Sequence, residues 1–134
     1  MMRKKRVLIV DGEEASRIAL KRSFETRELD YQVVIAPDGF KALGRLVQQR
    51  VDLVLLSCHL IGMDRLELAE AIRDISPQTR ILLMLDGDTF LFGGAIKSTK
   101  LDGWIGKTCP PAQIWAEVER IIGRNKPARA KAIR

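Results

Sequence analysis

At 134 residues, with 46% hydrophobic and 30% charged content, the chain can bury one proper core and is too short for two domains of ordinary size. The formal charge of +6 reads as a nucleic-acid signal until it is located: Arg3, Lys4, Lys5 and Arg6 stand at one end and Arg124, Lys126, Arg129, Lys131 and Arg134 at the other, while all 17 acids lie between residues 7 and 123 among 14 bases. No apolar run approaches the roughly 20 residues that span a bilayer, the start MMRKKRVLIV is no signal peptide, and two cysteines, Cys58 and Cys109, argue for reduced thiols over a disulfide framework. A soluble, cytoplasmic protein is expected.

Val7 to Val10 is a short apolar run ended by Asp11 and Gly12, which reads as a buried strand and a tight turn. Ile18, Ala19, Leu20 and Phe24 then follow at helical spacing behind an acidic first turn, as the helix dipole prefers. Tyr31 to Ala36 repeats the strand signal. Pro37, Asp38 and Gly39 make the next turn, and Phe40, Leu43, Leu46 and Val47 are expected to form the inner stripe of a second helix. Val51 and Leu53 to Leu56 form an apolar run stopping at Ser57, the pattern of a strand buried on both faces. Leu66, Leu68, Ala69, Ile72 and Ile75 mark a third helix, stopped before Pro77 because the residue preceding proline is pushed out of helical conformation.

Ile81 to Leu85 is a fourth buried strand. Thr89 to Lys100 falls where the alternation requires a helix, yet it carries Gly93 and Gly94 together, each costing about 1 kcal/mol in a helix interior. Trp104 and Ile105 give a brief last strand, and Pro110 and Pro111 open a final helix where proline is tolerated. Its inner face is Ile114, Trp115, Val118, Ile121 and Ile122, and Gly123 stops it.

Five strands alternating with five helices argue for an α/β protein with a parallel sheet between two helical layers. The flavodoxin-like three-layer sandwich with strand order 2-1-3-4-5 is the expected solution, over residues 1–123, with 124–134 as a basic tail or linker. In that order Asp11 and Ser57 face each other across the carboxyl edge of the sheet, and Lys107 points at the same crevice.

With these residues placed, the chain resembles the receiver domain of two-component response regulators over residues 6 to 123. The resemblance rests on VLIVDGEEAS, APDGFKAL, VDLVLLS followed by GMD, and WIGK before the last helix. It implies a phosphorelay signalling module in which an aspartate ending the third strand accepts a phosphoryl group. An acidic pair after the first strand helps hold Mg²⁺, a Thr or Ser ends the fourth strand, and a lysine follows the fifth.

Carried onto this sequence, the pattern keeps Asp11 and Lys107 and loses most of the rest. The second acid of the pair is Gly12, with Glu13 next. The acceptor position is Ser57, the hydroxyl position is Leu85 with Asp86 after it, and the aromatic switch position is Trp104. Ile61 and Thr108 replace two usual prolines. Phosphoryl transfer depends on positioning and on Mg²⁺ neutralising charge, and a serine hydroxyl is neither an anionic metal ligand nor a nucleophile without a base.

The chain therefore reads as a pseudo-receiver: not an enzyme, working by protein contact, with no catalytic residues and no cofactor or Mg²⁺ expected. Asp11 and Glu13, with Asp86, would be the groups to hold a cation, against a favoured reading in which Lys107 neutralises them. Cys58, His59 and Cys109 lack zinc-finger spacing.

Phe90, Leu91, Phe92 and Ile96 cannot all point inward on one helix, so this segment, with the fifth strand and last helix, is the expected partner or homodimer surface. Leu85 and Trp104 are expected to be packed in one fixed state. Two alternatives stand beside this reading. One is a conventional phosphoacceptor domain using a displaced acid such as Asp11; the other is a nucleic-acid-associated regulator using the basic termini.

Overall fold

The computed structural model describes residues 4–27, 31–57, 60, 62–85 and 101–123. Its strands are β1 (Lys5–Val10), β2 (Tyr31–Ala36), β3 (Leu53–Leu56), β4 (Arg80–Leu85) and β5 (Gly103–Gly106). They form one sheet in the order β2-β1-β3-β4-β5, every pair parallel. The helices are α1 (Glu14–Ser23), α2 (Gly39–Gln48), α3 (Arg65–Ile75) and α4 (Pro111–Ile122), with a 3-10 turn at Glu25–Arg27. The flavodoxin-like architecture and the strand order are as expected from the sequence; the helix expected over Thr89–Lys100 lies outside the described residues.

The continuous apolar runs are explained by the two faces of the sheet, since successive strand side chains point opposite ways. Leu8, Val10, Val54, Leu56, Ile81, Leu83 and Leu85 pack against Ala42 and Leu46 of α2 and Leu68, Ala69 and Ile72 of α3. Val7, Ile9, Leu53, Leu55, Leu82 and Met84 pack on the other side against Leu20 and Phe24 beside α1 and Ile114, Val118, Ile121 and Ile122 of α4. A fully buried Leu or Ile stabilises by roughly 2 kcal/mol, so this double-sided burial is what fixes strand order and register.

Helix starts are set by capping. The Asp38 carboxylate accepts from the Lys41 N–H at 2.8 Å, and that of Asp64 accepts from the Leu66 and Glu67 N–H groups at 3.0 and 3.2 Å, satisfying donors that a helix start leaves open. Pro110 and Pro111 open α4, and Gly123 ends it. Gly39, the first residue of α2, is buried so closely that a Cβ there would stand 2.9 Å from Met63 Sδ and 3.4 Å from Leu68 Cδ2.

A second polar cluster holds the far side of the sheet. Asp102, leading into β5, accepts from Arg73 Nη2 at 2.8 Å and from the Ile81 N–H at 2.7 Å, with Arg80 Nη1 at 3.8 Å. Its backbone carbonyl accepts from Arg120 Nη2 at 3.0 Å. One residue thus joins α3, β4, β5 and α4.

Three expectations about inner faces are corrected. In α2 the buried residues are Gly39, Ala42 and Leu46; Phe40 and Val47 are 67% and 72% exposed. The helix lays its small side on the sheet, and the two large residues are left on its flank. Ile18 and Ile75 are also exposed. Trp104, expected to be packed, is 50% exposed, because β5 is an edge strand with only alternate residues turned toward cover.

Candidate functional site

The crevice is built by strand adjacency. Val10 of β1 is in register with Leu56 of β3, so the next residues, Asp11 and Ser57, leave the sheet side by side at its carboxyl edge. The Ser57 N–H donates to the Val10 carbonyl at 3.0 Å, and the Asp11 N–H donates to the Ala36 carbonyl at 3.2 Å. Both residues are completely buried. Lys107 is the first residue after β5, and its N–H donates to the Leu85 carbonyl at 2.6 Å. That bond extends the β4–β5 ladder to the rim and delivers the lysine side chain to the crevice.

The sequence reading that placed Asp11, Ser57 and Lys107 together agrees with this geometry. Lys107 Nζ lies 3.8 Å from Asp11 Oδ2 and 4.0 Å from Glu13 Oε1. At such a separation two unit charges attract by about 4 kcal/mol at an effective dielectric constant of about 20, a gross figure largely offset by desolvation. Gly12 passes the chain from Asp11 to Glu13, whose N–H donates to Asp11 Oδ1 at 2.9 Å, a short turn closed by the aspartate itself. Asp11 Oδ2 and Lys107 Nζ have no hydrogen-bond partner among the described residues, since 3.8 Å is beyond hydrogen-bond range.

Arg17 was missed by the sequence reading. Its Nη1 donates to the Asp11 backbone carbonyl at 2.8 Å, adding a second cation beside the acidic turn. A basic residue on α1 six positions after Asp11 was the only available signal.

Leu85 is buried in the same cluster as Val10 and Leu56, and its side chain offers no hydrogen bond to anything entering the crevice. Cys109 lies nearby, lining with Lys107, Ser16 and Met84 a cavity of about 280 Å³ between α1 and the start of α4. Burial pushes the Cys109 thiol up, partly offset by a backbone hydrogen bond. Cys58, His59, Ile61, Asp86, Phe90, Leu91, Phe92 and Ile96 lie outside the described residues.

The receiver resemblance implies Mg²⁺, which takes about six oxygen ligands in near-octahedral geometry. The residues described here do not fit it. Asp11 contributes one buried carboxylate and Glu13 another that is 56% exposed, Ser57 adds only a neutral hydroxyl, and the Lys107 ammonium stands within 4.0 Å of both acids. Among the described residues no three His, Cys, Asp or Glu side chains converge as a metal site.

Among curated relatives, the response regulator MprA of Mycobacterium avium (strain 104) is 27% identical over 122 residues, covering 91% of this chain and 53% of that protein. The chain thus spans about half the length of the MprA relatives it matches. Sporulation initiation phosphotransferase F of Bacillus subtilis (strain 168) is 34% identical over 83 residues, 62% of this chain and 65% of the relative. The CheY-like receiver domain protein of Methanospirillum hungatei JF-1 superposes with a TM-score of 0.80 at 22% identity, covering 88% of this chain and 93% of that one, a likeness of fold. No helix among the described residues is long and apolar enough to cross a membrane. The family model of the response regulator receiver domain matches residues 7–119, and the chain belongs to that family of two-component signalling domains.

Proposed function

We propose that this chain is a receiver-type module that signals by protein contact and does not run an aspartyl phosphorylation cycle. The observation that carries the reading is Ser57, completely buried at the end of β3, where the family pattern requires a carboxylate. A hydroxyl there neither attracts Mg²⁺ strongly nor attacks phosphorus without a base. The nearby acids already face Lys107 at ion-pair distance. Leu85 in place of a hydroxyl residue removes the hydrogen bond by which a phosphoryl oxygen would be sensed.

The partner is a protein, met on the surface around Phe90, Leu91, Phe92 and Ile96 together with β5 and α4. Half-exposed Trp104 on β5 supports this by giving that edge an aromatic anchor of the kind interfaces favour. A nucleic-acid role through the basic ends is less favoured. Arg6, one of the basic run, is used inside the fold, its N–H donating to Asp52 Oδ2 at 2.7 Å and its guanidinium to the Arg50 carbonyl at 2.6 Å.

The test is incubation of the full chain with Mg²⁺ and a small-molecule phosphoryl donor, followed by intact-mass and peptide mass spectrometry. No phosphoryl increment is expected on the wild-type chain. A stoichiometric acyl phosphate on Asp11 or Glu13 would overturn the proposal in favour of a displaced acceptor, and a phosphoserine at Ser57 would overturn it equally.

A further inference from the structure

We infer that the exposed face formed by α2 and α3 is a self-association surface, on which a second copy of this chain docks about a two-fold axis. The starting point is the pair Phe40 and Val47, 67% and 72% exposed. Seven residues apart, they are two helical turns apart and lie on one stripe of α2. Val47 also lines a surface groove of about 610 Å³ shared with the end of α3, with Gln48, Arg50, Ser76 and Gln78. Ile75, at the last turn of α3, is 46% exposed. Three large exposed apolar side chains on two neighbouring helices mark an interaction site far more often than single scattered ones do.

Charge identifies the occupant. From Gly39 to Val51 the chain carries Lys41, Arg45 and Arg50 and no acid. The exposed stripe of α3 carries Glu67, Glu70 and Asp74. Lys41 and Arg45 are four residues apart, as are Glu70 and Asp74, and like charges at that spacing destabilise a helix. None of Lys41, Arg45, Glu67, Glu70 and Asp74 forms an ion pair in the described structure, so both stripes carry uncompensated self-repulsion.

The two helices lie side by side on the same face of the sheet. A basic stripe on one helix and an acidic stripe on its neighbour are complementary to themselves when turned over. A two-fold axis along the groove sets α2 of each copy over α3 of the other, which is the isologous arrangement of a symmetric dimer. Phe40 and Val47 then fall near the centre, ringed by opposite charges. This surface lies on the opposite face of the sheet from α4.

The experiment is analytical ultracentrifugation of the full chain across a concentration series. The wild-type chain is expected to show a monomer–dimer equilibrium that weakens as salt rises, and F40S/V47S to weaken it at least tenfold. K41E/R45E alone and E67K/E70K alone are each expected to be monomeric, whereas an equimolar mixture of the two forms a heterodimer, because each reversed stripe then meets its complement. All six residues substituted on this face are exposed, and unchanged far-ultraviolet circular dichroism would show that the variants fold. A wild-type chain that stays monomeric at every concentration, or a dimer that survives K41E/R45E, would overturn the inference; so would a mixture that fails to associate. Loss of the dimer on F90S/F92S, with F40S/V47S silent, would move the contact to the other surface.

Discussion

Asp102 and Asp11 are both buried carboxylates that meet cations, and they are held in opposite ways. Asp102 is fully engaged: a guanidinium at 2.8 Å, a backbone N–H at 2.7 Å and a second arginine at 3.8 Å. Asp11 is more deeply buried, yet one of its oxygens has only an ammonium at 3.8 Å. Asp102 is satisfied from several elements and serves the fold. Asp11 retains the partly unsatisfied character of a group placed for chemistry, beside a Ser57 that does not supply the acid such chemistry uses. The difference separates, within one domain, a carboxylate that serves stability from one left partly unpaired.

Replacing Asp102 with Ala breaks the contrast hardest. Half-buried Arg73 loses its carboxylate and the Ile81 N–H loses its acceptor, which together should cost about 3 kcal/mol; chemical denaturation should show it. Lys107→Met leaves the Asp11 charge buried without its cation and should cost about 2 kcal/mol by the same measurement. Asp11→Asn removes the charge itself from a loose pair, and its stability change should stay within about 1 kcal/mol. A loss as large as that of Asp102→Ala would show Asp11 to be structural after all. Phe40→Ser, on an exposed flank, should change monomer stability by no more than about 0.5 kcal/mol. Smallest is Cys109: with its thiol pushed up by burial, less thiolate is present at neutral pH, so alkylation followed on the Cys109 peptide should be slower in the folded chain than after denaturation.

Much of this was legible in the sequence because it depends on local pattern. The apolar runs of β1, β3 and β4 are buried on both faces and so have no polar alternation to confuse them. Once the strand order is fixed, the residues that end β1 and β3 must be neighbours, which is why Asp11, Ser57 and Lys107 could be brought together in advance. The inner face of α2 was read correctly at Leu43 and Leu46 and misread at Phe40 and Val47, for a physical reason. Periodicity weighted by size selects Phe40 and Val47, whereas close approach to the sheet selects Gly39 and Ala42. Trp104 and Ile105 form too short a run to tell which of the two turns inward.

The Asp102 network was out of reach because its partners Arg73 and Ile81 lie 29 and 21 residues away in sequence. Nor does sequence distinguish a carboxylate–ammonium pair at 3.8 Å from one in hydrogen-bond contact. That distinction is set by side-chain placement after the strands have paired.

The tight seat of Gly39 against Met63 ties two distant parts of the surface together. A Cβ at Gly39 would stand 2.9 Å from the Met63 sulfur and 3.4 Å from Leu68 Cδ2, so the head of α2 sits as close to its neighbours as a glycine allows. A side chain at position 39 is therefore admitted only by turning the end of Met63 aside, and the helix start is the place where α2 has least room to grow.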